Sequence, residues 1–282
     1  MKRGLWRDAW AGIRRDRAAM AGLAVLVLLV LAAFLGPLFL GFREDQIDWA
    51  NMAAAPFEAD GHWLGTDRLG RDLLVRTLFG LRVSLAIALA ATLVSLVIGV
   101  AWGALAGYLR GRADALMMRF VDVLYALPQV FFVIILTVVF GRGPLTLLIA
   151  IGAFGWLTMA RIVRGQALAL REREFVEAAV VGGSGTLRIV ARHIVPNLLG
   201  PVIVYATLTV PQVILVESFL SFLGIGIQEP LASLGNLIAD GATEMETAPW
   251  MLVVPAACLM LVVFCFNFLG DSLRDALDPR DR

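Results

Sequence analysis

The sequence predicts an all-α membrane protein that crosses the bilayer six times. Of its 282 residues, 60% are hydrophobic and only 17% are charged, whereas a soluble domain carries roughly 25% charged residues. A bilayer core about 30 Å thick is crossed by about 20 apolar residues in an α-helix. Six stretches have the composition and length of such spans: 18–40, 83–108, 121–140, 144–160, 199–223 and 249–269.

The basic residues predict that both termini lie in the cytoplasm. If the first stretch starts inside, 18 of the 24 Lys and Arg residues fall in inside segments and six fall outside, which is the usual bias of multi-pass proteins. The segment 41–82 is then a periplasmic loop, and 271–282 is a cytoplasmic tail. The outside loop 224–248 carries acidic residues and no basic one. A net charge of +1 provides no basic field for nucleic acid.

Residues 1–17 predict a cytoplasmic interfacial helix. Trp6, Trp10 and Ile13 share one helical face while the arginines lie largely on the others, a pattern typical of helices that lie in the lipid headgroup layer. A charged helical cap without a partner is the alternative interpretation. The stretch 18–40 is longer than the apolar core of a signal peptide, so we expect it to remain as the first transmembrane anchor.

Glycines in the second stretch predict a tightly packed helix pair. Gly99, Gly103 and Gly107 recur every four residues, and such a strip without side chains lets another helix approach closely. The spacing leaves open whether that helix belongs to this chain or to another. Pro128 in the third stretch removes a backbone hydrogen bond and therefore permits a kink.

The polar loop 161–197 is too well patterned to be a simple connector. Its part 171–181 predicts a helix, which Gly182 and Gly183 can end because glycine readily adopts the left-handed conformation. A second, amphipathic helix is predicted over 185–193, where apolar residues recur three and four apart. Together these helices predict a rigid projection on the cytoplasmic face.

Two features of this loop suit contact with a partner protein. Glu177, Ala178 and Ala179 combine one charge with two small side chains, so a backbone can lie deep in a partner's groove. Ser184 can cap the second helix, and Pro196 marks the return of the chain toward the fifth stretch. We therefore expect the projection to be an interaction site.

Glu217 is a carboxylate well inside the fifth stretch. A buried carboxylate costs several kcal/mol unless it is paired or hydrated, so it marks a functional site or a contact. One interpretation is a polar residue of a transport pathway. The other is a structural hydrogen bond to a facing helix, with Ser218 and Ser221 supplying hydroxyl groups. The residues alone leave both interpretations open.

Other charged residues favour structural roles. Asp67 and Asp72 enclose two arginines, which favours a salt-bridged turn over a catalytic carboxylate pair. Asp122 follows Arg119 by three residues, a spacing that predicts an ion pair within one helix. The chain has two histidines, too few for a histidine-based metal cluster or acid-base cluster.

The sequence lacks the usual means of hydrolysing ATP. Lys2 is the only lysine, and the phosphate-binding loop G-x-x-x-x-G-K-[ST] requires one. A membrane-embedded enzyme would need a nucleophile and a base, and no such constellation is apparent. An ion-coupled secondary transporter would carry ion ligands near the midplane and an internal repeat. Of these features, the sequence offers only Glu217 as a possible ion ligand.

The polar loop carries a family resemblance. The run Glu-Ala-Ala at 177–179, Gly183 after three intervening residues, and the ending Val195-Pro196 resemble the EAA loop in the membrane subunits of bacterial binding-protein-dependent ABC importers. The family pattern ends in Ile-x-Leu-Pro, and here His193 and Val195 occupy its apolar positions.

Two further segments extend the resemblance over nearly the whole chain: 62–72 (HWLGTDRLGRD) and 217–224 (ESFLSFLG). With the ending RHIVPN at 192–197, they are similar to the dipeptide, oligopeptide and nickel importer branch, and to the second of its two unlike permease subunits. The resemblance implies the type I ABC importer permease fold, with a transmembrane core over 83–270.

The resemblance also implies a machine of several parts in the bacterial inner membrane. This chain would form half of an alternating-access pathway with a second related permease, surrounded by membrane lipid. Two ATPase subunits or domains would bind ATP and Mg²⁺, so no cofactor is expected on this chain, and an external solute-binding protein would deliver substrate. Peptides are the expected substrates, with nickel or another small solute as the alternative. The residues expected to couple to the ATPases are Glu177, Ala178, Ala179, Gly183 and Pro196.

Overall fold

A computed structural model describes Trp10 and residues 12–277 of the chain, and the regular elements within these residues are all helical. The helices are α1 (Arg17–Phe39), α2 (Leu73–Leu109), α3 (Gly111–Tyr125), α4 (Gln129–Phe140), α5 (Pro144–Arg171), α6 (Glu174–Val181), α7 (Thr186–Ile189), α8 (Val195–Phe222), α9 (Leu234–Thr243) and α10 (Trp250–Leu277), with a π-helical turn over Val190–Ile194 between α7 and α8.

Within the part of the chain that the structure describes, five helices are long and apolar enough to cross a membrane: α1, α2, α5, the continuous helix Thr186–Phe222, and α10. A sixth crossing is reached only if α3 and α4, which are bent by 77° relative to each other, count as one broken span. The all-α membrane architecture is confirmed, and the kink that Pro128 permits in the predicted third span 121–140 is a break between two helices. Pro128 precedes α4 as its N-cap and disfavours a helical backbone in the residue before it, so the chain breaks there.

Several helices extend beyond the apolar stretches. α2 begins at Leu73 because the carboxylate of Asp72 accepts a hydrogen bond from the Val75 amide at 2.7 Å, so the predicted loop 41–82 is helical from residue 73 onward. α5 continues to Arg171, and α10 runs through the predicted tail 271–282 as far as Leu277. Hydropathy marks where a helix meets lipid, whereas capping and tertiary contacts decide where it ends.

The start of the chain only partly follows the prediction of an interfacial helix. Residues 12–15 are helical, and Ile13 is 9% exposed because it packs against Ala19 and Leu269 of the bundle. Ile13 therefore does not face lipid as predicted. Trp10 is 43% exposed, with the Arg14 guanidinium 4.8 Å from its ring centroid. Trp6 lies outside the described residues.

The glycine strip of α2 packs against α5. A Cβ added at Gly99 would lie 2.6 Å from the Cβ of Met159, and one at Gly107 would lie 2.7 Å from the Cβ of Ala167. Gly103 faces the α5 backbone midway between these contacts. The predicted tight helix pair is confirmed, and the neighbouring helix belongs to this chain.

Charged residues hold the N-terminal end of α2. Asp67 accepts hydrogen bonds from Arg71 Nε at 2.6 Å and from Arg76 Nη1 at 2.8 Å, and Arg71 Nη2 donates to Glu229 at 2.7 Å. The predicted salt-bridged turn is confirmed for Arg71. We call these four residues, Asp67, Arg71, Arg76 and Glu229, the charged cluster. It joins the segment before α2 to the acidic segment before α9.

A histidine reinforces the same end of α2. His62 is 2% exposed, its Nδ1 lies 2.8 Å from the Asp72 carboxylate, and its ring stacks on Phe42 with centroids 4.4 Å apart. Asp72 thus caps α2 and binds His62 with the same carboxylate group. Both carboxylates of the predicted turn are occupied by structural partners.

Candidate coupling site on the polar loop

A glycine turn ends α6. Gly183 has a φ of +74°, its amide donates to the Val180 carbonyl at 2.9 Å, and the Ser184 amide donates to the Ala179 carbonyl at 3.0 Å. This pair of bonds is the Schellman arrangement, which reverses the chain after a helix. The left-handed conformation is confirmed for Gly183 and wrong for Gly182, whose φ is −70°, because one left-handed residue suffices.

The second helix of the loop differs from the prediction in its extent. α7 passes through the π-helical turn into α8, so that a single helical path runs over Thr186–Phe222. Gly185 rather than Ser184 precedes α7, and no side chain caps it. Pro196 lies in the first turn of α8, the position at which its missing N–H costs least. The polar loop is thus directly continuous with a membrane-spanning helix.

Apolar residues on the inner side of the loop close one core of the bundle. Val176, Ile189 and Ile194 are each no more than 1% exposed, and they cluster with Val163 of α5 and Ala104 of α2. The glycine-packed pair of α2 and α5 and the polar loop therefore share one packed interior. Because such interiors are close-packed, these side chains fix the position of the loop relative to α2 and α5.

The outer side of the loop exposes apolar and small side chains. Phe175, Ala178 and Val181 are spaced three apart on α6 and lie on one side of it. Val181 is 89% exposed, and Leu187 on α7 is 74% exposed. We call Phe175, Glu177, Ala178, Val181 and Leu187 the loop face. Exposed apolar groups rimmed by polar residues mark a protein interaction site.

A cavity of about 560 Å³ opens beside Glu177, between α6 and the C-terminal end of α2. Arg110 forms an ion pair with Glu172 across this cavity, and the hydrogen bond from Arg110 holds the pKa of Glu172 below its ordinary value. The Arg171 guanidinium lies 5.4 Å from the ring centroid of Tyr108. The exposed Glu177 carboxylate therefore stands next to a concave surface that carries two arginines.

Ion pairs tie α3 to α5 near the loop. Arg164 donates to both carboxylate oxygens of Asp114, at 2.6 and 2.7 Å, and Arg161 donates to Asp122 at 2.8 Å. The predicted pair of Asp122 with Arg119 is wrong. A neighbouring helix supplies a better-placed arginine than the helix of Asp122 itself does.

The structure places Glu217 in a node of hydroxyl groups and not at a surface. Its side chain is fully buried, and it accepts hydrogen bonds from Ser84 at 2.7 Å, from Ser221 at 2.8 Å and from Ser218 at 3.5 Å. Ser84 also accepts from the Leu234 amide at 3.3 Å, so the node joins α2, α8 and α9. Sequence reasoning missed Ser84, whose only signal was a hydroxyl within an apolar stretch.

Two protein-family models match the chain. A sequence model described as a binding-protein-dependent transport system inner membrane component matches residues 99–282. The chain belongs to this family of ABC importer permeases. A second model, described as the N-terminal transmembrane domain of oligopeptide transport permease C, matches residues 4–56 of the permease.

Relatives of the permease cover nearly its whole length. The oligopeptide transport system permease protein OppC of Escherichia coli is 55% identical over 280 residues, covering 99% of this chain and 93% of the relative. OppC of Bacillus subtilis is 45% identical over 278 residues, covering 99% and 90%. The dipeptide transport system permease protein DppC of Bacillus subtilis is 45% identical over 277 residues, covering 98% and 86%.

Proposed function

We propose that this permease is the second of two unlike membrane subunits of an ATP-driven peptide importer in a bacterial inner membrane. It forms half of a pathway that opens alternately to the two sides, and its relatives named as oligopeptide and dipeptide permeases support peptides as the substrate class. The single observation that carries the mechanism is the continuity of the polar loop with α8.

The loop face is the docking surface for a separate ATPase. Its exposed Val181 and Leu187 would lose contact with water on binding, and Glu177 would reach a polar group of the ATPase groove. Gly183 fixes the turn that sets α6 against α7. When two ATPases close on ATP, the two permeases' loops move together, and α8 carries that displacement into the membrane.

The energy source lies outside this chain. Lys2 is its only lysine, so the phosphate-binding loop of an ATPase cannot form here. ATP and Mg²⁺ bind the partner ATPases, and this subunit is non-catalytic. Its own residues position the loop and pack the helices that move.

The orientation follows from the charges. The polar-loop end of α2 lies in the cytoplasm, together with both termini, because most of the basic residues fall on that side. The opposite end faces the periplasm and receives a solute-binding protein. Glu229 of the acidic segment 224–248 is paired with Arg71 of the charged cluster. Docking of the binding protein therefore depends on the carboxylates of this segment that the charged cluster leaves exposed.

Reconstitution tests this proposal. We expect liposomes that contain the permease, its companion permease, both ATPases and an external binding protein to accumulate labelled trialanine only when ATP is supplied. The permease alone should accumulate none. Peptide accumulation by the permease alone, driven by a proton gradient, would instead establish a secondary transporter. Accumulation of labelled nickel but not of peptide by the full complex would overturn the substrate class.

A further inference from the structure

A cavity of about 310 Å³ opens on the side of the bundle, between the bend of α3 and α4, the middle of α5 and the middle of α8. Tyr125 and Gln212 in its lining are exposed in this chain. Its volume falls in the range of small-molecule sites, about 300–1,000 Å³. Its polar lining consists of Tyr125, Gln129, Thr158, Tyr205, Thr209 and Gln212. These residues lie well inside the candidate spans or at the bend of the broken span, so the cavity lies at membrane depth.

The described residues that line this cavity include no charged side chain. One charged group reaches the lining from behind Tyr125: the Arg161 guanidinium lies 4.1 Å from the ring centroid of Tyr125. Asp122 is paired with Arg161, and the Glu217 carboxylate is enclosed by serine hydroxyls. The cavity therefore presents hydroxyl groups, carboxamide groups and aromatic rings without a fixed charge.

The polar groups of the lining have almost no partners within the protein. Thr209 donates to the Tyr205 carbonyl of its own helix at 2.8 Å, and the other five side chains form no hydrogen bond with another described residue. A carboxamide facing hydrocarbon without a partner costs several kcal/mol. These side chains therefore face water or a polar ligand and not lipid.

One wall of the cavity belongs to the helix that continues from the polar loop. Tyr205, Thr209 and Gln212 lie on α8, which continues the helical path from the loop. Gln129 and Tyr125 lie on either side of the break at Pro128, on a separate element. A displacement of α8 by the loop would move one wall of the cavity relative to the other.

We propose that this cavity is half of a binding site for the main chain of a translocating peptide, a proposal that rests on the function proposed above. Carboxamides and hydroxyls both donate and accept, so they match the alternating N–H and C=O groups of any peptide. The ring of Tyr205, unlike that of Tyr125, carries no cation from the described residues and can cover apolar side chains of the peptide. A wall without fixed charge neither attracts nor repels acidic or basic side chains, so the site accepts peptides of varied sequence.

The first test removes a main-chain contact. In the reconstituted complex, Gln212→Leu should lower the uptake of labelled trialanine per ATP hydrolysed about two- to tenfold, the effect of one hydrogen bond. ATP hydrolysis stimulated by the loaded binding protein should persist, because the loop face is intact. Gln166→Leu is the matched control, since Gln166 is exposed on α5 and does not line the cavity. Equal uptake by Gln212→Leu and the wild type would overturn the proposal.

The second test adds a charge to the cavity. If Gln212 had only a structural role, the added charge would not change which peptides are transported. Gln212→Glu should raise the uptake ratio of Ala-Lys-Ala to Ala-Glu-Ala at least about fivefold over the wild-type ratio. The same binding protein delivers both peptides in both complexes, so its own preference cancels. An unchanged ratio would overturn the assignment of Gln212 to the peptide path. If the wild-type complex takes up no peptide at all, the proposed function is wrong, and the proposed peptide site is wrong with it.

Discussion

The two ends of α2 are stabilised in opposite ways. At its N-terminal end Asp67 pairs with Arg71 and with Arg76, which is only 1% exposed, and Glu229 from a distant segment pairs with Arg71. At its C-terminal end the polar loop is held by apolar side chains on its inner side and by a backbone turn at Gly183. On the outer side of the polar loop, Val181 and Leu187 are exposed.

This difference indicates which end is held by ion pairs and which by apolar packing. A buried ion pair is specific in geometry and costly to break, so the charged end is fixed by its own residues. The polar loop has a rigid base, but it exposes apolar surface that a soluble partner would cover. We infer that the charged end fixes the helix bundle, while the polar loop is built to be completed by another subunit.

The largest expected effect comes from breaking the charged end. Asp67→Ala leaves Arg76 buried without its main carboxylate, which should cost about 3–5 kcal/mol of unfolding free energy. Thermal unfolding of the purified complex measures this loss. Asp45→Ala is the control, because Asp45 pairs with Arg43 at the exposed surface and such pairs contribute about 1 kcal/mol or less. Equal losses in both variants would show that the charged end is not fixed by burial.

The second effect concerns the helix pair that joins the two ends. Gly103→Ala forces a methyl group into the α5 backbone near Ala160, and such overpacking should cost about 1–3 kcal/mol. Gly165→Ala, on the exposed side of α5, has open space around its Cβ and should stabilise the helix by up to about 1 kcal/mol. Thermal unfolding should therefore shift in opposite directions. A shift in the same direction for both would contradict the close packing of α2 on α5.

Much of the fold could be predicted from the sequence because periodic and compositional signals report local chemistry. The strip at Gly99, Gly103 and Gly107 predicted a close helix contact, and the confirmed left-handed turn at Gly183 followed from a residue with no Cβ. Partners from distant segments left no such signal. Ser84 could not be matched to Glu217, and Arg161 displaced the local partner that spacing suggested for Asp122.

The third prediction isolates the backbone of the polar loop. A Cβ at Gly183 or at Gly185 would meet nothing within 4 Å, but only Gly183 has a left-handed backbone. Gly183→Ala should cost about 1–2 kcal/mol and lower uptake while the protein still inserts, whereas Gly185→Ala should transport normally. Uptake and membrane content are measured on the same vesicles. Normal uptake in Gly183→Ala would remove the turn from the coupling mechanism.

The smallest effect is expected at the hydroxyl node between the two ends. Glu217→Gln keeps the shape and most of the hydrogen bonds to Ser84 and Ser221, so ATP-dependent uptake should be largely retained. Glu217→Leu leaves these hydroxyls unpaired and should lower assembly or transport. Uptake is measured with and without a proton gradient at fixed ATP. Gradient-dependent transport that vanishes in Glu217→Gln would make Glu217 a proton carrier.

The most direct test asks what touches the loop face. A photoreactive amino acid replaces Ala178 in the complete complex, and the same replacement at Ala50, an exposed alanine beyond the opposite end of α2, serves as the control. After illumination, the cross-linked products are identified by mass spectrometry. We predict that position 178 cross-links to the ATPase and that position 50 does not. The absence of an ATPase product at position 178 in a complex that transports would contradict the proposal that the polar loop receives the ATPase.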